Sequence, residues 1–204
     1  METNDNIEAR KLVTPEGRVS FPHLFTADSV PGTNKLKYSV NLLFPKSDKE
    51  GCARIFAALK AAKEYGTVAS WGGKVPAKLD LPIYDGDEAE TPRPEETGCF
   101  VLKARSDAQY TRPGVVDKNR NVIEDEEEVY AGCYGRASVL FKPYSTAGNN
   151  GIMCILRAFQ KLKDGEPLAA GADAAALFDD GVGEAYPDPE PKRTGNPDID
   201  AMLG

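Results

Sequence analysis

The chain has 204 residues, 41% hydrophobic and 28% charged, enough for one substantial domain with appendages. It holds no run of about 18 apolar residues to span a membrane, and its polar start METNDNIEARK lacks the apolar core of a secretory signal, so the expected location is the cytoplasm. The net charge of −7 is uneven: residues up to Asp164 carry 23 Lys+Arg against 23 Asp+Glu, and residues 165–204 carry 2 against 9. A body that is neutral overall can still present a basic face if its acids gather elsewhere, as they do in DGDEAE and EDEEE.

In chain order, RVSFPHLF (18–25) is a short apolar run with a proline, which reads as an edge or bent strand. KLKYSVNLLFPK (35–46) alternates, with Leu36, Tyr38, Val40, Leu42 and Phe44 on a core face and Lys35, Lys37, Ser39 and Asn41 opposite. Residues 47–66 switch to a helical period, capped by Ser47 or Asp48, closed by Gly66 and buried through Ile55, Phe56 and Leu59. Residues 67–97 hold Trp71, paired glycines, four prolines and an acidic stretch, which predicts a long ordered loop or insertion. In it, Trp71 is either a stacking residue or a plug over a barrel end.

GCFVLKARS (98–106) resumes the strands, with Lys103 and Arg105 on the polar side and Tyr110 and Arg112 soon after. DKNRN (117–121) is a turn, and Val122 and Ile123 begin a return strand. YAGCYGRASVLFKPY (130–144) splits by parity into a core set, Cys133, Ala137, Val139 and Phe141, and an aromatic and basic set, Tyr134, Arg136, Lys142 and Tyr144. After the loop STAGNNG, residues 151–163 form a second long strand and complete a hairpin. Beyond Asp164 the composition turns Ala/Gly-rich, then proline-rich and acidic, as in a disordered tail. The expected organisation is therefore a binding domain over 1–164 and a flexible acidic tail over 165–204. Five or six strands with one helix suit a mainly β fold, the OB-fold, a five-stranded Greek-key barrel.

His23 is the lone histidine, and Cys52, Cys99, Cys133 and Cys154 form no CxxC pair, so neither a metal nor a cofactor is expected and the cysteines read as reduced, buried thiols. No GxSxG elbow, P-loop or GxGxxG is present, and the carboxylates at Asp85, Asp87, Glu88 and 124–128 lie in consecutive loop positions. Solvated charge explains those carboxylates better than a two-metal nuclease site, and an enzyme is not expected. Single-stranded nucleic acid needs cations for phosphates and aromatic faces for bases. Lys35, Lys37, Trp71, Lys103, Arg105, Tyr110, Arg112, Tyr134, Arg136, Lys142 and Tyr144 are the candidates. A tyrosine-rich face that packs on another protein, in a β-rich structural or adaptor role, stays open beside this reading.

FPHLF, KYSVNLLFPK, PEETGCFVLKARS, VYAGCYGRASVLFKPYSTAGNNGI and ILRAFQKLKDGEPL resemble a family of bacteriophage single-stranded DNA-binding proteins, over about Arg18 to Asp180. These OB-fold proteins are similar to the replication-associated binding proteins of short-tailed phages. The resemblance implies a sequence-tolerant binder that protects single strands in replication or recombination, with a homodimer as an option. It also implies an acidic tail that docks on replication proteins. Here Asp198, Ile199, Asp200, Met202 and Leu203 combine charge with a small apolar anchor suited to such docking, or to covering the protein's own basic groove.

Overall fold

Strict alternation builds the wall of the fold. In the computed structural model, which describes residues 4–29, 35–146 and 148–168, the strand β7 (Tyr134–Thr146) buries Gly135, Ala137, Val139, Phe141 and Pro143 and leaves the even positions half-buried or exposed. It pairs antiparallel with β8 (Asn149–Lys163) along the whole hairpin, Ala137 facing Phe159 and Phe141 facing Cys154. β2 (Gly17–Ser29), β3 (Leu36–Pro45) and β5 (Cys99–Asp107) form an antiparallel meander. Parallel pairing of Arg105 with Ile155 joins β5 to β8, and antiparallel pairing of Gly17 with Gly135 joins β2 to β7. The ring β2-β3-β5-β8-β7 thus closes on itself as the five-stranded OB barrel. Short strands flank it: β1 (Lys11–Val13) pairs with β7, β4 (Ile83–Asp85) with β5, and β6 (Gly114–Val116) with β8.

The core joins Val19, Leu24, Val40, Leu42, Phe44, Leu102, Ala104, Val139, Phe141 and Phe159 from the barrel to Ile55, Leu59 and Ala62 from the long helix α2 (Lys49–Ala69), α1 being the short Asn4–Glu8 turn of helix. Asp48 caps α2 by accepting the Gly51 amide at 2.9 Å. Gly66 does not close the helix, as the sequence suggests, but lies inside it, because its bare Cα is a contact surface. A Cβ there would sit 2.7 Å from Pro143 Cβ and 2.8 Å from Trp71 Cη2. Phe56 lies outside the buried stripe, edge-on to Phe100 with ring centroids 5.1 Å apart.

Two further expectations shift, and one is sharpened. The RVSFPHLF segment is the bent strand: Arg18 pairs with Leu43 of β3 on one side and Tyr134 of β7 on the other, β7 has no register partner beyond it, and the extra residue between Ser20 and His23 supplies the bend that its proline suggested. Residues 67–97 contain β4 as well as loop, pinned where the Asp80 amide donates to Asn150 O at 2.9 Å and the Lys103 amide to Pro82 O at 2.7 Å. The opening of β7 is at Tyr134 and not Tyr130, because Gly132 turns the chain at φ 114° and donates its amide to Val19 O at 2.8 Å. The stretch after Lys163 runs beside this turn, where the Leu168 amide donates to Ala131 O at 2.9 Å.

Candidate nucleic-acid interface

The core face of β3 and β5 decides what their other face carries. With Val40, Leu42, Ala104 and Leu102 turned inward, Ser39 and Asn41 stand outside in register with Arg105 and Lys103, and Lys37 with Asp107. β2 continues the same rows, Ser20 opposite Asn41, His23 opposite Ser39 and Asp28 opposite Lys37. Lys37 therefore lies between two acids, while Arg105 is exposed and Lys103 half-buried among neutral neighbours of β3. Lys35, just before β3, is exposed at the same end.

Aromatic rings sit under the cations of this face. Lys103 Nζ lies 4.5 Å from the Tyr84 ring centroid, Arg93 4.5 Å from that of Phe21, and Arg112 5.3 Å from that of Phe25. Tyr84 donates its hydroxyl to Glu96 at 2.9 Å, and the Arg93 guanidinium approaches the same carboxylate at 3.5 Å. Burial, then that bond to Glu96, pushes the Tyr84 hydroxyl up to about 12. Burial, then the charge of Arg105, pulls the Lys103 ammonium below its ordinary value. The charges of Glu96 and Asp80 offset part of that repulsion. Tyr110 stands on the turn after β5, 71% exposed.

The β7 candidates occupy another part of the barrel, separated from β5 by β8 in the ring. Arg136 donates to Gln160 Oε1 at 2.8 Å, and Gln160 in turn donates to Asp117 O at 3.0 Å, which ties the DKNRN turn to the hairpin. Tyr134 lies under Lys163, 4.7 Å from its ring centroid, and Tyr144 donates its hydroxyl to Asp80 at 2.9 Å. Trp71 packs against the core and donates its indole N–H to Tyr144 O at 3.0 Å. Lys142 is the exposed cation of this set.

The structure thus brings Lys35, Lys37, Lys103, Arg105, Tyr110 and Arg112 to the β3/β5 face and its end, and places Trp71, Tyr134, Arg136, Lys142 and Tyr144 elsewhere. Asp198, Ile199, Asp200, Met202 and Leu203 fall outside the described residues. Phe21, Phe25, Tyr84 and Arg93 escape the alternation argument because each lies in a bent strand, a short strand or a loop. The exit of the Phe21 ring from the core has no local signal, since it depends on the bulge against β3. Among the described residues no helix is long and apolar enough to cross a membrane, and no cluster of ligating side chains is placed to hold a metal.

The model of the Enterobacter phage Enc34 single-stranded DNA-binding protein family matches residues 10–188. The chain belongs to this family. A relative from Acyrthosiphon pisum secondary endosymbiont phage 1, putative protein p50, is 30% identical over 174 residues, covering 80% of this chain and 89% of its own. The family's Enc34 protein, solved in complex with single-stranded DNA, superposes with a TM-score of 0.65 at 28% identity, over 78% of this chain and 88% of that one. Bacteriophage T7 gp2.5, a single-stranded DNA-binding protein, shares the fold at a TM-score of 0.59 and 16% identity, over 85% of this chain and 99% of that one.

Proposed function

We propose that the chain binds single-stranded DNA with little regard to sequence and shields it during phage DNA replication or recombination in the host cytoplasm, as a binder and not a catalyst. The observation that carries this is the outward row on β3 and β5, where Lys103 and Arg105 stand two residues apart on one face of an OB barrel, with Lys37 beyond them. That is the face, with the adjoining loops, that OB-folds use for oligonucleotides. Membership of the Enc34 family supports the same reading.

Lys35, Lys37, Lys103, Arg105 and Arg112 take the phosphates, with Tyr110 beside them, and Lys142 extends the positive field on β7. Trp71, Tyr134, Arg136 and Tyr144 hold the hairpin and its surrounding loops in place. Residues 165–204 act as an acidic tail that competes with DNA for the basic face and docks on replication proteins through Asp198, Ile199, Asp200, Met202 and Leu203. A homodimer is compatible with this arrangement.

Fluorescence anisotropy of a labelled thirty-base oligonucleotide tests the reading. Binding that weakens steeply with salt and barely changes with base composition supports it. A stable complex with another protein, formed after nuclease treatment and without affinity for the oligonucleotide, would replace it with the adaptor role.

A further inference from the structure

We infer that the turn between β6 and Val122 is a second phosphate-binding station for the same strand, reached from the β3/β5 face across β8, with Arg157 on the way and Lys118 and Arg120 at its end. This rests on the proposed single-strand binding and lengthens its path over the barrel.

β8 supplies the connection. It meets β7 along one edge, and along the other it meets first β5, with Arg105 beside Ile155, and then β6, with Gly114, Val115 and Val116 beside Ala158, Phe159 and Gln160. Cys154, Leu156 and Phe159 are buried, so Ile155 and Gln160 both stand on the outer surface. Between them the phase changes: Val139 faces Leu156 and Ser138 faces Ala158, which leaves Arg157 as the extra residue of a bulge, exposed to solvent. The outer surface therefore continues from Arg105 over Ile155 and Arg157 to Gln160, the stretch along β8 spanning roughly 15 Å.

Gln160 holds the turn at the end of that surface. Its Nε2 donates to Asp117 O at 3.0 Å and to Lys118 O at 3.3 Å, while its Oε1 accepts the Arg136 guanidinium at 2.8 Å. Within the turn the Asp117 carboxylate accepts the Asn119 and Asn121 amides, each at 2.8 Å, and the Asn121 side chain at 2.9 Å. The one acid of DKNRN is thus spent on bracing, and Lys118 and Arg120 stand exposed on a rigid frame. Arg120 takes φ 70°, a left-handed conformation that Gly or Asn fills at far lower cost in a hairpin turn. Its side chain is exposed, so packing returns nothing for that strain, and strain of this kind gathers at binding sites. A phosphate backbone leaving Arg105 meets Arg157 and then this turn, and cations that touch only phosphates keep the contact tolerant of sequence.

The test uses the full chain and a labelled thirty-base oligothymidine, titrated by anisotropy across a salt series. Arg120→Gly, Arg120→Lys, Arg157→Ala and the pair Arg120→Gly with Arg157→Ala are compared with the unaltered protein. Lys63→Ala, which removes an exposed charge from α2, controls for net charge alone. Arg120→Gly and Arg157→Ala are each expected to weaken binding roughly three- to tenfold at low salt and to lower the slope of log affinity against log salt by about 0.7. The two losses add in the pair, while Arg120→Lys and Lys63→Ala keep the slope. Arg120→Gly melts at or above the temperature of the unaltered protein, because glycine accepts φ 70° without strain, which separates a lost contact from a lost fold. Should Arg157→Ala fold poorly, Arg120→Gly and Arg120→Lys decide. Binding by the unaltered protein with an unchanged slope in Arg120→Gly would overturn this inference alone and leave the turn to an acidic protein partner. An equal loss in Lys63→Ala would overturn it as well, since net charge and not position would then set the affinity. Absence of binding by the unaltered protein would overturn the proposed function, and this inference with it.

Discussion

Lys103 shows how one residue joins the barrel wall to its function. Its parity is outward only because Leu102 and Ala104 are inward, and its depressed pKa follows from burial and then from Arg105 two residues along. A phosphate beside the pair would favour the charged lysine and raise that pKa again, so DNA binding takes up protons as the solution approaches the free protein's value. Affinity is expected to fall with rising pH earlier than an ordinary lysine near 10.5 would dictate. Tyr84, held up to about 12, stays neutral through that window. Lys103→Arg should flatten the alkaline fall while keeping affinity, which anisotropy between pH 7 and 10 would record; an unchanged profile would remove Lys103 from the phosphate path. The same linkage acts on folding: between the lowered and the ordinary pKa the unfolded chain binds more protons, so Lys103 makes stability rise with pH there. Replacing Arg105 with Ala should lower the slope of log affinity against log salt by about 0.7, the loss expected for one phosphate contact on a single strand.

Among the elements, α2 and the β7–β8 hairpin make the sharpest structural predictions. Gly66→Ala would ordinarily stabilise a helix interior, yet here the added methyl meets Pro143 and Trp71, so a loss of about 1–3 kcal/mol in urea unfolding is expected. Asp48→Ala should cost about 0.5–2 kcal/mol through the lost N-cap bond to Gly51. Arg136→Ala should lower stability more than it lowers DNA affinity, since its guanidinium is spent on Gln160 and the turn beyond. Parallel unfolding and anisotropy measurements separate the two effects.

These elements also mark what a sequence reader can see. The inner face of β7 was legible because alternation runs unbroken from Tyr134 to Pro143, and the cap at Asp48 because capping is local. The role of Gly66 was hidden, since its partners Pro143 and Trp71 are brought together only by packing. So was the exit of Phe21 from the core, which depends on a bulge whose register is set by β3. The polar faces of β3, β5 and β7 all looked alike along the chain. Which of them adjoin is a property of strand order, where β8 intervenes between β5 and β7.

For the whole molecule, charge is divided unevenly along the chain, with the excess acids in residues 165–204. Up to Asp164 positive and negative residues are equal in number, and acids reach the cationic row itself, since Asp85, Glu88, Glu90 and Glu96 line one cavity with Lys103, while those of the 126–128 turn are exposed. The excess acids follow later in the chain and, as a competitor, would bind the basic face more weakly as salt rises. The most direct measurement is one titration series in which the full chain and a shorter form ending at Leu168 are each mixed with single-stranded and duplex thirty-base DNA at increasing salt. Salt-sensitive binding to the single strand, weaker binding to the duplex, and a tighter complex for the shorter form are expected. Absence of single-strand binding by both forms at low salt would contradict the assignment of the β3/β5 face to DNA.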